Sequence, residues 1–367
     1  MRVAIYGTGK TASIILDKLR LSNALEVQIV YFVKSERTEE YYHGIKVLTA
    51  LEFSPDEFDY LVIASFGRTY EEIISYLVTN RNDFDRLEKK IVSPMHFIEI
   101  IRLENPQYSI VNLPDGIKYM YSEKDCYIGG YMHIFGENFA KTQIDDFFEL
   151  TRKYYGKRDR KTVFLDIGAN IGTTSIYVKS KHPELSIYGI EAGRDNYDLF
   201  KINCILNHVE DIHVFRKAIS DRCGEAYFYY NEINPGGSWI EDSNDEGGFE
   251  VIPQEDIDTF ILHNSISFSD IGYVWMDVEG SEVNVLKGAT RLLQEHIPMM
   301  QEFSPFTYEG RGLLDDYIGI IEDYYDSFID YREFEQGNER CIKTKDMRYF
   351  VEDMMKSGRN QTDLFFI

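Results

Sequence analysis

The sequence predicts an α/β fold in two units, and three observations carry that expectation. Two stretches, at residues 3–12 and 163–172, each read as an apolar strand, a glycine turn and the start of a helix. Beyond each opening, further apolar runs alternate with one-sided helical stripes. The chain has 367 residues, 44% of them hydrophobic. That suits two domains with cores of their own and excludes a mostly disordered chain.

Charge narrows the partners. With 39 basic and 62 acidic side chains the net charge is −23. Such a surface repels phosphate backbones and anionic membranes, so no nucleic-acid partner is expected. Residues 221–260 hold eleven carboxylates and one Arg, and the part after 239 reads as a solvated flap. Cys126, Cys204, Cys223 and Cys341 are scattered without metal-ligand spacing, as reduced thiols would be. The N-terminus enters a strand pattern at once, and no run of about 20 apolar residues occurs. A cytoplasmic chain with no membrane span is the expectation, with homo-oligomerisation left open.

In the first opening, Val3-Ala-Ile-Tyr-Gly7-Thr-Gly9-Lys-Thr-Ala12 leads into a helix with Ile14, Ile15, Leu16 and Leu19. Strands at 27–33 and 59–64 and a helix at 70–77 complete a small Rossmann-like unit over residues 1–105. Residues 106–160 read as a linker. It holds a hairpin turning at Pro114-Asp-Gly116, an aromatic, glycine-rich stretch at 126–139 and a polar lead-in helix over 142–155. The last unit, 161–367, has strands at 163–166, 186–191, 212–215, 273–277 and 298–303. Its helices fall at 173–182, 195–207 and 283–295, and a buried strand at 362–367 ends the chain.

The second glycine turn is the most informative segment. In Asp166-Ile-Gly168-Ala-Asn170-Ile-Gly172 the glycines let a ligand approach the backbone. Nineteen residues past Gly172, the next strand ends at Glu191, where a carboxylate can accept both hydroxyls of a ribose. A dinucleotide would bring a pyrophosphate to this turn, which Asp166 disfavours. S-adenosylmethionine (SAM) brings an ammonium and a sulfonium, which carboxylates favour. SAM is therefore the expected cofactor.

Four pieces in order resemble the FkbM-type methyltransferases. They are the 166–172 turn, the strand end at Glu191, Phe215-Arg-Lys-Ala218-Ile219-Ser220, and Trp275-Met-Asp277-Val-Glu279-Gly280-Ser-Glu282 with Val285-Leu286-Lys-Gly288-Ala289 behind it. The resemblance covers residues 160–367. It implies a seven-stranded Rossmann-like fold and SAM-dependent O-methylation of a sugar or another small hydroxylated metabolite. By position it places Asp166, Gly168, Asn170, Gly172 and Glu191 in the SAM pocket. Ala218 and Ile219 fall near the adenine, and Asp277 and Glu279 beside the transferred methyl. The loop at 235–239 falls near the acceptor.

A sugar hydroxyl is a poor nucleophile at neutral pH, so a base or a metal would assist. Asp277, Glu279 and Glu302, all at strand ends, are candidates for base, substrate clamp or ligands of Mg²⁺ or Mn²⁺. No His stands in this run, and a metal is not the favoured reading. Glu282 reads equally as the first residue of a helix, where a carboxylate suits the dipole. His133, in the lead-in segment, is a further candidate base.

The first unit is less telling. Lys34 stands where a nicotinamide dinucleotide site wants an acid, and Lys10 and Arg68 are weak candidates for facing a phosphate. A nucleotide, a nucleotide-sugar or a purely scaffolding role stay open for it. The expected function is therefore SAM-dependent methyl transfer to a sugar or sugar-linked hydroxyl. The alternatives are a nicotinamide-dependent oxidoreductase using the first unit and a non-catalytic nucleotide-binding protein.

Overall fold

Both predicted openings form in the computed structural model, which describes residues 1–21, 27–65, 67–94, 96–97, 108–125, 127–156, 161–231, 237–241 and 249–367. The chain divides into two units. One comprises Met1–Ser109 with Ser122–Gly136, the other Ile110–Tyr121 with Glu137–Ile367. Among the described residues, no helix is long and apolar enough to cross a membrane.

The first unit contains β1 (Arg2–Tyr6), β2 (Gln28–Lys34), β3 (Tyr41–Tyr42), β4 (Ile45–Thr49), β5 (Tyr60–Ile63) and β6 (Ile91–Val92), ordered β3-β4-β2-β1-β5-β6. β1 is buried from Val3 onward, because a central parallel strand is covered on both faces and so reads as one apolar run. Val3 and Ile5 pack with Ile15 and Leu16, while Ala4 and Tyr6 pack with Leu77 and Leu87. The glycine-rich stretch at 126–139 forms a helix, Ile128–Phe135. Asp125 caps it by accepting the N–H groups of Tyr127, Ile128 and Gly129. Cys126 lies outside the described residues.

The predicted hairpin is β7 (Tyr108–Asn112) and β8 (Lys118–Ser122). The second unit is built on β9 (Val163–Ile167), β10 (Ser186–Glu191), β11 (Ile212–Arg216), β16 (Ile271–Met276), β17 (Met299–Phe303), β18 (Ser327–Asp330), β19 (Cys341–Lys343) and β20 (Thr362–Phe366). Their order is β11-β10-β9-β16-β17-β20-β18-β19. β20 runs antiparallel to both neighbours, and the strands from β11 to β17 are mutually parallel. The sheet therefore has one strand more than the seven expected. The extra one is β19, a three-residue edge strand with no buried residue, so it leaves no alternating pattern to read. A smaller sheet, β12-β15-β13-β14, is formed by β12 (Ala218–Ser220), β13 (Gly224–Tyr229), β14 (Trp239–Glu241) and β15 (Phe249–Asp256). The acidic flap after 239 lies partly outside the described residues, and its far end is β15.

Two local outcomes differ from the sequence expectation. The single helix at 283–295 is two helices, Glu282–Lys287 and Thr290–Gln294. The break falls at Gly288, whose backbone lies so close to the Ser220 carbonyl that a Cβ would stand 2.4 Å from it. The polar helix, Lys141–Tyr155, is a layer of the second unit. Its Phe147 ring lies 5.8 Å from both Trp275 and Phe365 and 6.4 Å from Phe164, where edge-to-face aromatic packing contributes beyond area burial.

Candidate active site

β9 has β10 on one side and β16 on the other, so chain connections leave it in opposite directions. Ligands of open α/β sheets bind at the carboxyl ends of strands at such a point. Two turns meet there. The Asp277 N–H donates to the Ile167 carbonyl at 2.9 Å. Gly168 (φ +88°) presses against the following peptide so closely that a Cβ would lie 1.7 Å from the Asp277 carbonyl oxygen. No other residue fits both the left-handed backbone and that contact.

Glu191 fastens the first turn. One carboxylate oxygen accepts the Asn170 N–H at 2.8 Å and the other the Gly193 N–H at 2.7 Å. The Asn196 side chain is a third donor to the same carboxylate. Asp166 is 1% exposed; its Oδ2 accepts the Ser175 hydroxyl at 2.5 Å, while Oδ1 is buried with no hydrogen-bond partner. Ala218 and Ile219, both buried, sit on β12. Ala218 packs with Phe228 and Ile252 beside Ala192, the residue after Glu191.

The second turn carries the other carboxylates. Glu282 opens its helix as expected and also staples the turn. It accepts the N–H groups of Val278 and Gly280 at 3.1 and 3.2 Å and the Tyr308 hydroxyl at 2.9 Å. Arg311 donates to the Gly280 carbonyl at 2.9 Å. Glu279 is thereby held at φ +51°, a backbone region that costs a non-glycine residue on the order of 1 kcal/mol. On β17, Glu302 accepts from Gln361 and lies opposite Asp363 of β20. Register puts Asp166 beside Trp275 and Trp275 beside Met300. Counting two residues along each strand, Asp277 and Glu302 fall on the same sheet face as Asp166, as does Asp363.

Ligand atoms of Asp277, Glu282 and Glu302 lie within 4.8 Å of one another. The sequence suggests Asp277, Glu279 and Glu302 instead. Glu282 takes the place of Glu279 because the turn, once past the strand end, no longer alternates faces. Glu282 is already engaged by three donors, which suits a staple better than a metal ligand.

Crowded carboxylates cannot all be ionised. Burial raises Asp166 to about 7, against the Ser175 hydrogen bond. Burial likewise raises Glu191 to about 7, against the Gly193 and Asn170 N–H groups and the Asn196 side chain. Glu279 is pushed to about 7 by burial and then by Glu282, and Asp363 to about 6, mainly by burial. Glu302 is raised by burial and by Asp277. Asp277 is open to solvent, yet the protein around its recess and the charges of Glu279 and Asp363 hold it well above the usual carboxylate range.

These raised values predict a pH dependence of stability. A carboxylate raised in the folded state holds its proton more tightly there than when unfolded. Its contribution is complete below about pH 4 and is lost as pH rises through about 7. A tenfold difference in proton affinity is worth about 1.4 kcal/mol, so Asp166 and Glu191 together remove a few kcal/mol over that window. Calorimetric melting of the ligand-free chain should give a Tm several degrees higher near pH 5.5 than near pH 7.5; a flat or rising Tm contradicts the assignment.

The structure thus brings Asp166, Gly168, Asn170, Gly172 and Glu191 into one turn system, with Asp277, Glu279 and Glu302 across from it. His133 lies on the Ile128–Phe135 helix of the other unit. The loop segment 232–236 and the side chains of Lys10 and Arg68 lie outside the described residues, and Lys34 is engaged by Thr38 at 2.5 Å. Sequence reasoning missed Ser175, Tyr308, Arg311, Gln361 and Asp363, none of which stands in a motif.

Comparison with known families assigns this switch-point site to a class. Residues 166–336 match the Methyltransferase FkbM domain, and residues 1–92 match the C2185-like N-terminal domain. The chain carries an FkbM methyltransferase domain, as the 275–289 motif implied. A methyltransferase of Sordaria araneosa, sdnD, is 25% identical over 177 residues, 41% of this chain and 67% of that one. Among solved structures, a precorrin-6y C5,15-methyltransferase from Geobacter metallireducens is 10% identical over 62% of this chain and 85% of its own, with a TM-score of 0.30. An RNA methyltransferase from Salinibacter ruber, solved with S-adenosylhomocysteine, is 16% identical over 44% and 74%, with a TM-score of 0.24. Neither structural likeness bears on the substrate.

Proposed function

We propose that the chain is a SAM-dependent O-methyltransferase acting on a hydroxyl of a sugar or sugar-linked metabolite. The observation that carries this is the convergence of carboxylates at the β9–β16 switch, where the Gly168 backbone packs against that of Asp277. The donor set fits SAM: Asp166 offers a buried oxygen without a partner to a cationic ammonium, and Glu191, engaged by three donors, retains accepting capacity for a ribose hydroxyl. Ala218 and Ile219 offer an apolar wall to adenine. SAM supplies a methyl group on a sulfonium. The protein has to hold the acceptor oxygen in line with that methyl and take its proton.

Glu279 and Asp277 are the groups placed for the proton. Glu279 is poised near neutrality, where a general base works best. The acceptor O–H loses its proton to the carboxylate as oxygen bonds to the methyl carbon. The methyl–sulfur bond breaks with its electron pair on sulfur, leaving S-adenosylhomocysteine. The reading uses no metal. Carboxylates that accept hydroxyl hydrogen bonds support a polyhydroxylated acceptor; no observation favours the nicotinamide reading.

Titration calorimetry with S-adenosylhomocysteine tests the cofactor assignment. Charge-assisted hydrogen bonding to the ribose, with the loss of its hold on the Asn170 and Gly193 amides, predicts that Glu191→Ala weakens binding by about 10–100-fold. Equal affinities in the two proteins would remove Glu191 from this role.

A further inference from the structure

We propose that Asn203 and Tyr119 are positioning residues for the cofactor, fixing the backbone of residues 171–173 from behind. The inference rests on the SAM reading above and adds to the site the strand β8, which lies outside the matched FkbM domain.

The Asn203 side chain is fully buried on the helix Arg194–Leu206. Its Oδ1 accepts the Met120 N–H at 2.6 Å, and its Nδ2 donates to the Met120 carbonyl at 3.1 Å and to the Ile171 carbonyl at 2.9 Å. One carboxamide therefore replaces a strand partner for β8 and ties that strand to the cofactor turn. From Ile171 the connection continues. Its N–H donates to the Asn170 side chain at 2.8 Å, and the Asn170 N–H donates to Glu191.

Tyr119, the preceding residue of β8, holds the other side of Gly172. Its buried hydroxyl donates to Asn138 Oδ1 at 2.6 Å and lies 3.2 Å from the Thr173 carbonyl, which Asn138 Nδ2 also approaches at 3.4 Å. The carbonyls on both sides of Gly172 are thus engaged by groups anchored in β8 and at Asn138. Buried, mutually satisfied networks of this kind fix one backbone arrangement. A turn that must present its amides and Glu191 to a ligand binds more tightly when it is fixed beforehand. Asn207 provides an internal control. Its side chain bonds the Lys118 N–H and carbonyl of the same strand at 2.9 and 2.7 Å and the Asn203 carbonyl at 2.8 Å, and none of these bonds goes to the turn.

The experiment is calorimetric binding of S-adenosylhomocysteine to wild type, Tyr119→Phe, Asn203→Asp and Asn207→Ala. It is paired with hydrogen–deuterium exchange of the ligand-free proteins. Tyr119→Phe and Asn203→Asp should each weaken binding by about 5–30-fold at unchanged stoichiometry, the loss expected for buried hydrogen bonds. Amides at 170–174 should exchange faster in both. Asn207→Ala should lower Tm yet leave affinity within about twofold. If the first two variants lose stoichiometry but keep wild-type affinity, or if Asn207→Ala weakens binding as much as they do, the residues are merely structural and the proposal fails. Should wild type itself not bind S-adenosylhomocysteine, the SAM reading falls and takes this proposal with it. Should wild type bind and all variants match it, the proposal falls alone.

Discussion

A Gly168→Ala chain is expected to show no measurable affinity for S-adenosylhomocysteine and a second unit destabilised by on the order of 3 kcal/mol or more. Two costs coincide at this position. The backbone stands at φ +88°, and the added methyl would meet the Asp277 carbonyl oxygen at 1.7 Å and its carbon at 2.7 Å. The obstacle is backbone, which cannot turn aside as a side chain can. Relief requires the two turns to part, and their meeting is what holds the two groups of carboxylates together. The comparison is Gly9→Ala in the similar-looking turn of the first unit, where a Cβ would meet nothing within 4 Å. That change should cost less than about 1 kcal/mol. Equal effects at the two glycines would mean that the close approach of residues 168 and 277 does not occur.

The second large effect concerns turnover. Asp277→Asn keeps shape and removes the carboxyl group that can exchange a proton. Labelled methyl transfer from SAM to a panel of nucleotide-sugars should fall by about 10²-fold or more, while affinity for S-adenosylhomocysteine stays within about threefold. Glu279→Gln should do the same and should also flatten the rise in wild-type rate through about pH 7, the value to which burial and Glu282 push Glu279. Wild-type rates in both variants would place the proton acceptor elsewhere. The same assay separates proton from metal chemistry: full activity after verified metal removal is expected, and loss restored by Mg²⁺ or Mn²⁺ would assign the Asp277–Glu282–Glu302 cluster to a cation.

Much of this site is legible in the sequence because it is local. The 166–172 turn, the acid at 191 and the 275–282 run each lie at a strand end, and a strand end is visible as an apolar run meeting glycine or a carboxylate. The rest depends on pairings that local pattern does not encode. Asp363 faces Glu302 only because β20 inserts antiparallel beside β17, and Gln361 reaches Glu302 across 59 residues of sequence. Asn203 reads as one polar position in a helix; its meaning appears when β8 comes to lie beside it. The Lys141–Tyr155 helix reads as a polar connector because only Ile144, Phe147, Leu150 and Thr151 are buried along it. Its role as a layer follows from the rings of Phe164, Trp275 and Phe365, which are far away in sequence. Glu282 can be read as a helix start, but its hold on Val278 and Gly280 follows from the left-handed backbone at Glu279.

The most direct test is a crystal structure of the chain grown with S-adenosylhomocysteine. The account predicts density for the ligand between the two turns, with its ribose hydroxyls on Glu191 and its ammonium at Asp166. Ligand density anywhere else in the second unit, or an empty crevice at saturating ligand, would contradict it.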